Sequence, residues 1–485
     1  MRILYLDLDS MRPDHLGCYG YARNTSPNID AIAATGVRFT DCYCSDAPCL
    51  PSRTALFSGR FGIHTGVVGH GGTAADLPPE GEARGFKSNH GRSSWMKILA
   101  DCCGMHTVTI SSFAERHSAW HFHAGFNEIH NSGKTGRERA DEVTPIAIDW
   151  LRRQAKNDHW FLHVNFWDAH MPYRTPEAYG NPFSDDNPPT WLTGEALTAQ
   201  RQSHGPCSAR EPWGWNQEKA AAQPHLPGEI ATLSDYRAWI DGYDTAVRYM
   251  DDHVGRLLEV LEAEGVLDDT AIIVSSDHGE NLGELNVYGN HQTADLCTCR
   301  IPLVIRWPGL GPGVDDALHY HVDLPPTVVD LLDGPVPASW DGENFAATLR
   351  DRCSDGRDFL VLSQCAWCCQ RAVRFEGWLM IKTYHDAYMN LPPTMLFDVE
   401  ADPHETRDLA PDKPDIVARG ESLLERWHTE MTTAAELHTD PLQTVLAEGG
   451  PYHAKGKLEE YCRRLETTDR HWAADKLRTQ YNRGA

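Results

Sequence analysis

The sequence predicts an α/β protein in which a large, mainly parallel sheet is flanked by helices. Five short apolar runs are typical of buried strands, at residues 3–8, 107–111, 160–166, 271–275 and 302–307. Amphipathic stretches with helical periodicity lie between them, as at 141–154 and 235–264. Strands that alternate with helices favour a parallel sheet covered on both faces. Ligands of such folds bind at the carboxyl ends of the strands.

A smaller domain is expected after this α/β domain, which we assign to residues 1–357. Strand-like runs come close together at 359–363, 372–375, 378–383 and 394–398. A helix is predicted near 414–429, and charged, helix-prone sequence follows it. Residues 358–485 are therefore predicted to form a short antiparallel sheet, a packed helix and a helical tail. The tail would pack on the body of the protein or join copies in a homo-oligomer.

One segment of the α/β domain, at about 171–229, is rich in proline and lacks periodicity. A stretch this long without regular structure is usually a binding insertion or a disordered one. Its tryptophans, Trp191, Trp213 and Trp215, favour an ordered lid beside a binding site.

The chain is strongly acidic, with 44 basic and 69 acidic residues and a formal net charge of −25. No nucleic-acid partner is expected, because no basic run supplies the cations that neutralise phosphates. No apolar run is long enough for a membrane span, so no membrane partner is expected. The sequence enters a predicted strand directly after Met1 without a visible secretory signal. We therefore expect a cytoplasmic protein whose 14 cysteines are mostly reduced thiols.

Two acidic side chains end the first predicted strand. Asp7 and Asp9 are two residues apart, so they point to the same side of the strand. Buried like charges this close are unfavourable unless a cation or hydrogen-bond donors compensate them, and a divalent metal is the simplest compensation. The alternative is that one carboxylate caps the following turn while the other is solvated.

The strand at 271–275 leads into a second polar group, Asp277 and His278. Because parallel strands end at the same edge of a sheet, these side chains are expected beside Asp7 and Asp9. Three carboxylates and one imidazole suit Ca²⁺, Mg²⁺ or Mn²⁺ better than a thiolate-bound metal. We therefore predict that these four residues bind a divalent metal, with Ca²⁺ as the first candidate.

A third segment, CLPSRTALFSGR at 49–60, places Cys49 at the start of a helix. Pro51 suits the first helical turn, where free backbone amides and the helix dipole favour an anion. Arg53 lies one turn further and can return to the same anion with a two-pronged hydrogen bond. Cys49 is therefore a candidate low-pKa thiolate nucleophile, as in a cysteine phosphatase. The tyrosine-phosphatase loop does not fit, because only three residues separate Cys49 from Arg53 and the glycines that wrap a phosphate are missing.

This segment resembles the signature of the type I sulfatases of the alkaline-phosphatase superfamily. The Cys-x-Pro-Ser-Arg core at 49–53 is similar to the pattern that directs conversion of cysteine to Cα-formylglycine in that family. Residues 9–20 resemble its N-terminal segment, residues 275–279 its second metal segment, and residues 397–409 its C-terminal motif. The similarity in order and spacing covers roughly residues 2–410.

The resemblance implies a sulfuric-ester hydrolase that uses a formylglycine derived from Cys49, a divalent metal and a separate maturation enzyme. A hydrated formylglycine carries two hydroxyls, and one of them, with its pKa lowered by the metal, attacks sulfur and displaces the alcohol. The other then loses a proton and expels sulfate as the aldehyde re-forms. Arg53, the metal and the helix terminus would together stabilise negative charge on the sulfuryl oxygens.

The resemblance also implies a histidine or lysine that protonates the leaving alcohol. His170 follows the strand at 160–166 in a His-Met-Pro segment similar to the family's His-x-Pro, so it is one candidate. His291 is the other, and it lies nine residues before Arg300, where similar sulfatases usually carry an active-site lysine. A switchable imidazole would then replace a fixed cation.

Two further departures from the family pattern affect the binding residues. The chain has Asp9-Ser10 where many relatives have adjacent aspartates, so Asp7 either replaces the missing ligand or does not reach the metal. The usual Gly-Lys-Trp-His segment is absent. We assign its anion-binding roles to Arg116 and His117, with the imidazoles of His121 and His123 as competitors.

Two other functions compete with sulfate-ester hydrolysis. A phosphonate monoester or phosphate diester hydrolase of the same superfamily can use the same formylglycine and metal. A non-catalytic binding protein would keep the fold and leave Cys49 unconverted. For the enzyme we expect a small sulfate ester of an aryl or sugar alcohol, on which tryptophans of the 171–229 insertion would stack. The net charge disfavours long polyanionic sulfated chains.

Overall fold

The computed structural model describes residues 1–78, 90–223, 225–351, 355–434 and 439–481. Its strands are β1 Arg2–Leu8, β2 Val37–Tyr43, β3 Asp46–Ala47, β4 His106–Ile110, β5 Glu128–His130, β6 Trp160–Phe166, β7 Thr270–Ser275, β8 Asn281–Leu282, β9 Tyr288–Asn290, β10 Arg300–Arg306, β11 Gly313–Tyr320, β12 Phe359–Gln364, β13 Cys369–Phe375, β14 Trp378–His385 and β15 Thr394–Asp398. Its α-helices are α1 Pro27–Thr35, α2 Cys49–Ser58, α3 Gly62–Thr65, α4 His90–Ser93, α5 Trp95–Cys102, α6 Phe113–His117, α7 Ala140–Gln154, α8 Gly194–Gln202, α9 Leu233–Ala263, α10 Leu296–Cys299, α11 Leu324–Leu331, α12 Ala346–Asp351, α13 Pro414–Ala434, α14 Pro441–Ala447, α15 Leu458–Thr467 and α16 His471–Tyr481.

The main sheet has the strand order β11-β2-β10-β7-β1-β6-β4-β5, and the predicted α/β class is confirmed. Strand β1 lies near its middle and pairs in parallel with β6 and β7. Strand β10 runs antiparallel between β7 and β2, so the sheet is mainly but not wholly parallel. The five predicted strands correspond to β1, β4, β6, β7 and β10. The sequence did not indicate β2, β5 and β11, which are short or carry mixed polar and apolar residues.

Both faces of β1 are buried, which explains its continuous apolar sequence. Leu4, Leu6 and Leu8 pack on one face with apolar residues of α7 and α9. Ile3 and Tyr5 pack on the other face with residues of α2, α5 and α11. The strand is therefore fixed by packing on both sides where it delivers its acidic residues to the carboxyl edge.

The smaller sheet has the order β15-β14-β13-β12-β3, and the four C-terminal strands are antiparallel, as predicted. Helix α13 covers it with Leu424 and Trp427. Strand β3 belongs to the N-terminal part of the chain and pairs in parallel with β12, with Asp46 opposite Ser363. Strand β3, which lies just before Cys49, therefore joins the two predicted domains by hydrogen bonds to β12. The division between residues 357 and 358 stays a prediction.

The C-terminal tail forms helices α14, α15 and α16 and packs on its own chain. Tyr461, Leu465 and Leu477 form a buried cluster that includes Cys207 and Val287. Association of two copies through the tail stays a prediction. Among the described helices, none is both long and apolar enough to span a membrane.

Candidate active site

The carboxyl edge of the main sheet gathers the residues for which the sequence predicted chemistry. Asp7 lies near the end of strand β1 and Asp9 follows the strand directly, while Asp277 and His278 follow the adjacent strand β7. Helix α2, which begins at Cys49 itself, brings Cys49 and Arg53 to the same point. All six side chains are buried. The structure therefore brings these six residues together, as the sequence predicted.

Arg53 lies among the three carboxylates. Its Nε and Nη2 donate to the two oxygens of Asp7 at 2.8 and 3.0 Å. Its Nη1 donates to Asp9 Oδ2 at 2.9 Å and to Asp277 Oδ2 at 2.5 Å. One guanidinium offsets a single negative charge, so fully ionised carboxylates would leave two negative charges in excess in a buried place. Such an excess is unfavourable without a further cation.

Four residues at this edge can bind a metal ion. Single ligand atoms of Asp9, Cys49, Asp277 and His278 all lie within 4.8 Å of one another. Asp7 lies outside this group, since Arg53 holds both of its oxygens and Oδ2 is also 3.2 Å from His163 Nε2. Carboxylate oxygens, one imidazole and the excess negative charge fit a divalent cation.

The buried charges act strongly on one another. Burial raises the pKa of Asp277, attraction from Arg53 lowers it less, and repulsion from Asp9 and Asp7 adds to the rise. Burial also opposes ionisation of Asp9, but attraction from Arg53, His170, His278 and Arg116 together outweighs burial, and the pKa of Asp9 lies below its ordinary value. The pKa of the third carboxylate, Asp7, also lies below its ordinary value. A cation beside Asp277 would favour its ionised form as well.

Cys49 has the expected position at the helix start, and its Sγ lies 3.1 Å from His278 Nε2. Burial raises the pKa of its thiol well above the ordinary value, and repulsion from Asp9 and Asp277 adds to this rise. Arg53 and Arg116 lower the pKa but do not outweigh these effects. The residues around Cys49 therefore favour the neutral thiol over the low-pKa thiolate that the helix position suggested, which weakens the case for a cysteine phosphatase.

A cavity of about 790 Å³ opens onto Cys49. Arg116, His117, His170 and His291 line it, so these four predicted site residues face the same space as the nucleophile position.

The two competing imidazoles do not line this cavity. His121 instead places its Nε2 2.9 Å from the hydroxyl of Thr54. His123 lies in the same short helical turn, at Trp120–His123. The geometry thus favours Arg116 and His117 over them.

Both ring nitrogens of His170 have partners. Its Nδ1 donates to the carbonyl of Met171 at 2.8 Å, and its Nε2 accepts from Arg116 Nη2 at 3.2 Å. Burial and the positive charge of Arg116 lower the pKa of His170 to about 3. His170 is therefore a neutral group that orients Arg116.

His291 has a different environment. Its Nδ1 lies 3.1 Å from the carboxyl of the buried Glu280, and its ring centre is 4.1 Å from that of His278. A ring nitrogen of His291 also lies within 4.8 Å of Cys49 Sγ. Burial lowers the pKa of His291, and repulsion from His278 lowers it further. With Nδ1 held by Glu280, Nε2 is the nitrogen that remains for a ligand.

Comparison with known proteins decides the family. The family model described as Sulfatase matches residues 2–334, more than half of the chain. The chain belongs to the sulfatase family. Its reaction class is the hydrolysis of sulfuric ester bonds, as the resemblance at 49–60 implied.

Individual relatives are distant but cover most of the chain. An N-acetylglucosamine-6-O-sulfatase of Bacteroides thetaiotaomicron is 22% identical over 92% of this chain and 89% of its own length. A choline-sulfatase of Rhizobium meliloti is 24% identical over 87% of this chain and 86% of its own length. A phosphonate monoester hydrolase of Agrobacterium radiobacter, known from its crystal structure, superposes with a TM-score of 0.66 at 21% identity, covering 89% and 96% of the two chains. This last likeness shows a shared fold.

Of the three tryptophans predicted to form a lid, Trp213 alone lines the cavity of this sulfatase. Trp191 stacks on the imidazole of His404 at 4.7 Å, and Trp215 packs against Tyr461. These two side chains therefore stabilise the insertion and are not free to stack on a substrate.

Several residues of the cavity wall were not predicted. Trp367 and Tyr452 line it, and the Trp367 ring stacks on His453 at 4.0 Å. His453 Nε2 lies 2.9 Å from Nδ1 of His70, which lines the cavity as well. Tyr452 and His453 belong to the C-terminal tail, so the tail completes the wall of the site. No local pattern marks these residues, because only the tertiary fold brings them to the sheet edge.

The environment of Cys49 predicts slow alkylation of unconverted protein. The thiolate fraction falls about tenfold for each unit by which a pKa rises above the pH, and Cys49 is also buried. Exposed Cys102 should react with iodoacetamide at pH 7.5 long before Cys49 does. Peptide mass spectrometry over time measures both rates, with Cys102→Ser as the control. If Cys49 were labelled faster than Cys102, the result would contradict this prediction and support a thiolate nucleophile at Cys49.

Proposed function

We propose that the protein hydrolyses a sulfate monoester of a small sugar or aryl alcohol, with residue 49 acting as the nucleophile after conversion to formylglycine. The observation that supports this most is the meeting of Cys49, Arg53 and three buried carboxylates at the start of α2. A formylglycine-generating enzyme would act as the maturation partner. The thirteen described cysteines form no disulfide, which favours a reducing compartment such as the cytoplasm.

Asp9, Asp277 and His278 would hold a divalent metal beside residue 49, with Ca²⁺ as the first candidate and Mg²⁺ or Mn²⁺ as alternatives. When bound, such a metal supplies positive charge that lowers the pKa of an oxygen nucleophile and stabilises charge on the sulfuryl group. We assign Asp7 a different role, since both of its oxygens accept from Arg53. Asp7 fixes the guanidinium, and Arg53 donates hydrogen bonds at the centre of the site.

The cavity residues have different roles toward the ester, and these concern Arg116, His117, His170 and His291. Arg116 and His117 bind the sulfuryl oxygens, and His170 orients Arg116 through its Nε2. His291 donates the proton to the leaving alcohol, with Glu280 holding its other ring nitrogen. The pKa of His291 is low in the buried site, and the negative charge of a bound ester raises it toward the range needed for proton transfer.

Relative rates on matched esters test the reaction itself. Protein produced beside a maturation enzyme should cleave 4-nitrophenyl sulfate with a higher kcat/KM than the matched phosphonate monoester and phosphate diester. Cys49→Ala should abolish turnover, and the mass of the wild-type peptide should fall by the difference between CH₂SH and CHO. A phosphonate or diester rate higher by orders of magnitude would contradict sulfatase activity. An unconverted thiol would favour the binding protein.

Metal content separates the roles of Asp9 and Asp7. Asp9→Asn should lose the bound metal and the activity, because it removes a ligand from the buried group. Asp7→Asn should keep the metal content of wild-type protein, yet lose activity about 10- to 100-fold because Arg53 is less firmly held. Plasma mass spectrometry of the purified proteins gives the metal content. Loss of metal from Asp7→Asn would make Asp7 a ligand after all.

Leaving groups of different acidity separate His291 from His170. For sugar sulfates, whose alcohols need a proton, His291→Ala should lower kcat/KM by about 100-fold or more. For 4-nitrophenyl sulfate the loss should be much smaller, since nitrophenolate leaves without protonation. His170→Ala is the matched control and should slow both substrates alike, because His170 orients Arg116. The opposite pattern would make His170 the proton donor.

A further inference from the structure

Four cations converge on the cavity although the chain carries a net charge of −25. The cavity is lined by Arg116, Arg137, Arg174 and Lys219, with Glu115 as the acidic residue of its wall. Within the described part of the chain, none of the four cations forms an ion pair with a carboxylate. Unpaired cations that share one cavity with low-dielectric walls attract anions into it.

The four cations lie at different depths. Arg116 contacts His170 and lies over the ring of Trp167. The guanidinium carbon of Arg53 also lies over this ring, 5.1 Å from its centroid. Arg116 is therefore the cation next to the reacting centre. Arg174 donates to the carbonyl of Trp167 at 3.3 Å. Burial, followed by repulsion from Arg116, lowers the pKa of Arg174 to about 10, so it remains charged at neutral pH.

Arg137 and Lys219 are exposed, and they line the cavity from two segments that are far apart in sequence. Arg137 lies in the loop between β5 and α7, whereas Lys219 lies in the short helical turns at Gly214–Ala222 of the insertion. Together with Arg174 they are the cations of the cavity wall other than Arg116, and we call these three residues the outer cation ring.

A sulfate monoester carries one negative charge, and it does not account for the outer cation ring. The carboxylates at the sheet edge already balance Arg53 and a divalent metal, and Arg116 is available for the single charge of the ester. The ring formed by Arg137, Arg174 and Lys219 is opposed by one carboxylate in the cavity wall, that of Glu115. Positive charge therefore remains where the organic part of the substrate must lie.

The wall also offers hydrogen-bonding atoms without partners. Among the described residues, the buried Nε2 of His70 and the buried Nε1 of Trp367 have no hydrogen-bond partner. Both residues line the cavity. Unpartnered buried polar atoms are unfavourable unless a ligand or water satisfies them. The hydroxyl groups of a sugar ring would supply such partners.

We propose that the outer cation ring is a second anion-binding subsite, and that the substrate is a small sulfated sugar with a further anionic group, either a carboxylate or a second sulfate. This inference rests on the proposed function for the identity of the first sulfate. The subsite binds the second group without taking part in the chemistry. It also fits a small molecule better than a long polyanion, because the acidic remainder of the surface repels extended negative chains.

Binding to a protein that cannot turn over tests the subsite separately from the reaction. Calorimetry on Cys49→Ala protein, which has no nucleophile at position 49, compares three probes: a hexose monosulfate, a hexose disulfate and a hexuronic acid sulfate. At least one of the two doubly charged probes should bind about tenfold more tightly than the monosulfate, as expected for a charge-assisted contact. Adding Arg137→Gln and Lys219→Gln should remove most of this preference. Arg152→Gln, an exposed charge change on α7, is the matched control and should preserve it.

The two probes with a second charge distinguish the sources of the second anion. Tighter binding of the disulfate alone assigns the subsite to sulfate, and tighter binding of the uronate alone assigns it to carboxylate. Equal affinity for all three probes, or a preference that survives the double substitution, would overturn the subsite. Turnover of 4-nitrophenyl sulfate by converted protein tests the proposed function independently. Turnover without a binding preference would contradict the subsite alone, and a preference in a protein that cleaves no sulfate ester would contradict the reaction alone.

Discussion

Three carboxylates and one guanidinium are buried together at the carboxyl edge of the main sheet, and the balance of their charges determines how the site is built. Charges removed from water are unfavourable unless partners at short range compensate them. Arg53 contacts all three carboxylates but balances one negative charge. The remaining charge is what a divalent cation beside Asp9 and Asp277 would neutralise. The same interactions hold α2, and with it residue 49, against strands β1 and β7.

The surroundings of this charge cluster are adapted to an anionic ester. Burial lowers the pKa values of His117, His170 and His291, so these imidazoles do not compete with the metal as fixed cations. Fixed positive charge comes from arginine, which remains protonated even when buried. The charge along the cavity thus changes from positive, at the exposed cations of its wall, to balanced, at the buried cluster of Arg53 and the three carboxylates. Net charge describes the surface of the chain and conceals this local reversal of sign.

The sequence predicted those parts of the molecule that depend on local pattern. The apolar run before Asp7 and Asp9 predicted a strand buried on both faces, and its sheet edge brings these residues to Asp277 and His278. Pro51 in the segment 49–60 predicted a helix that starts at Cys49, which is where α2 begins. Local pattern did not predict the Arg53 hydrogen bonds to the carboxylates, since they depend on the distance between α2 and the sheet.

Residues from distant segments escaped prediction for the same reason. His453 and Tyr452 reach the cavity because the tail folds back over the chain, and Trp367 stacks there on His453. Helix-terminus electrostatics alone suggested an activated thiolate at Cys49. Burial and two neighbouring carboxylates reverse that effect, and neither can be read from the segment at 49–60 alone.

A crystal structure of the converted protein grown with Ca²⁺ tests the charge balance most directly. Anomalous scattering locates the ion without reference to the protein. We predict one ion at about 2.3–2.6 Å from carboxylate oxygens of Asp9 and Asp277, with Arg53 still donating to both oxygens of Asp7. An ion bound by Asp7 in place of Arg53, or no ion at this edge in an active crystal, would contradict the division of charge between the guanidinium and the metal.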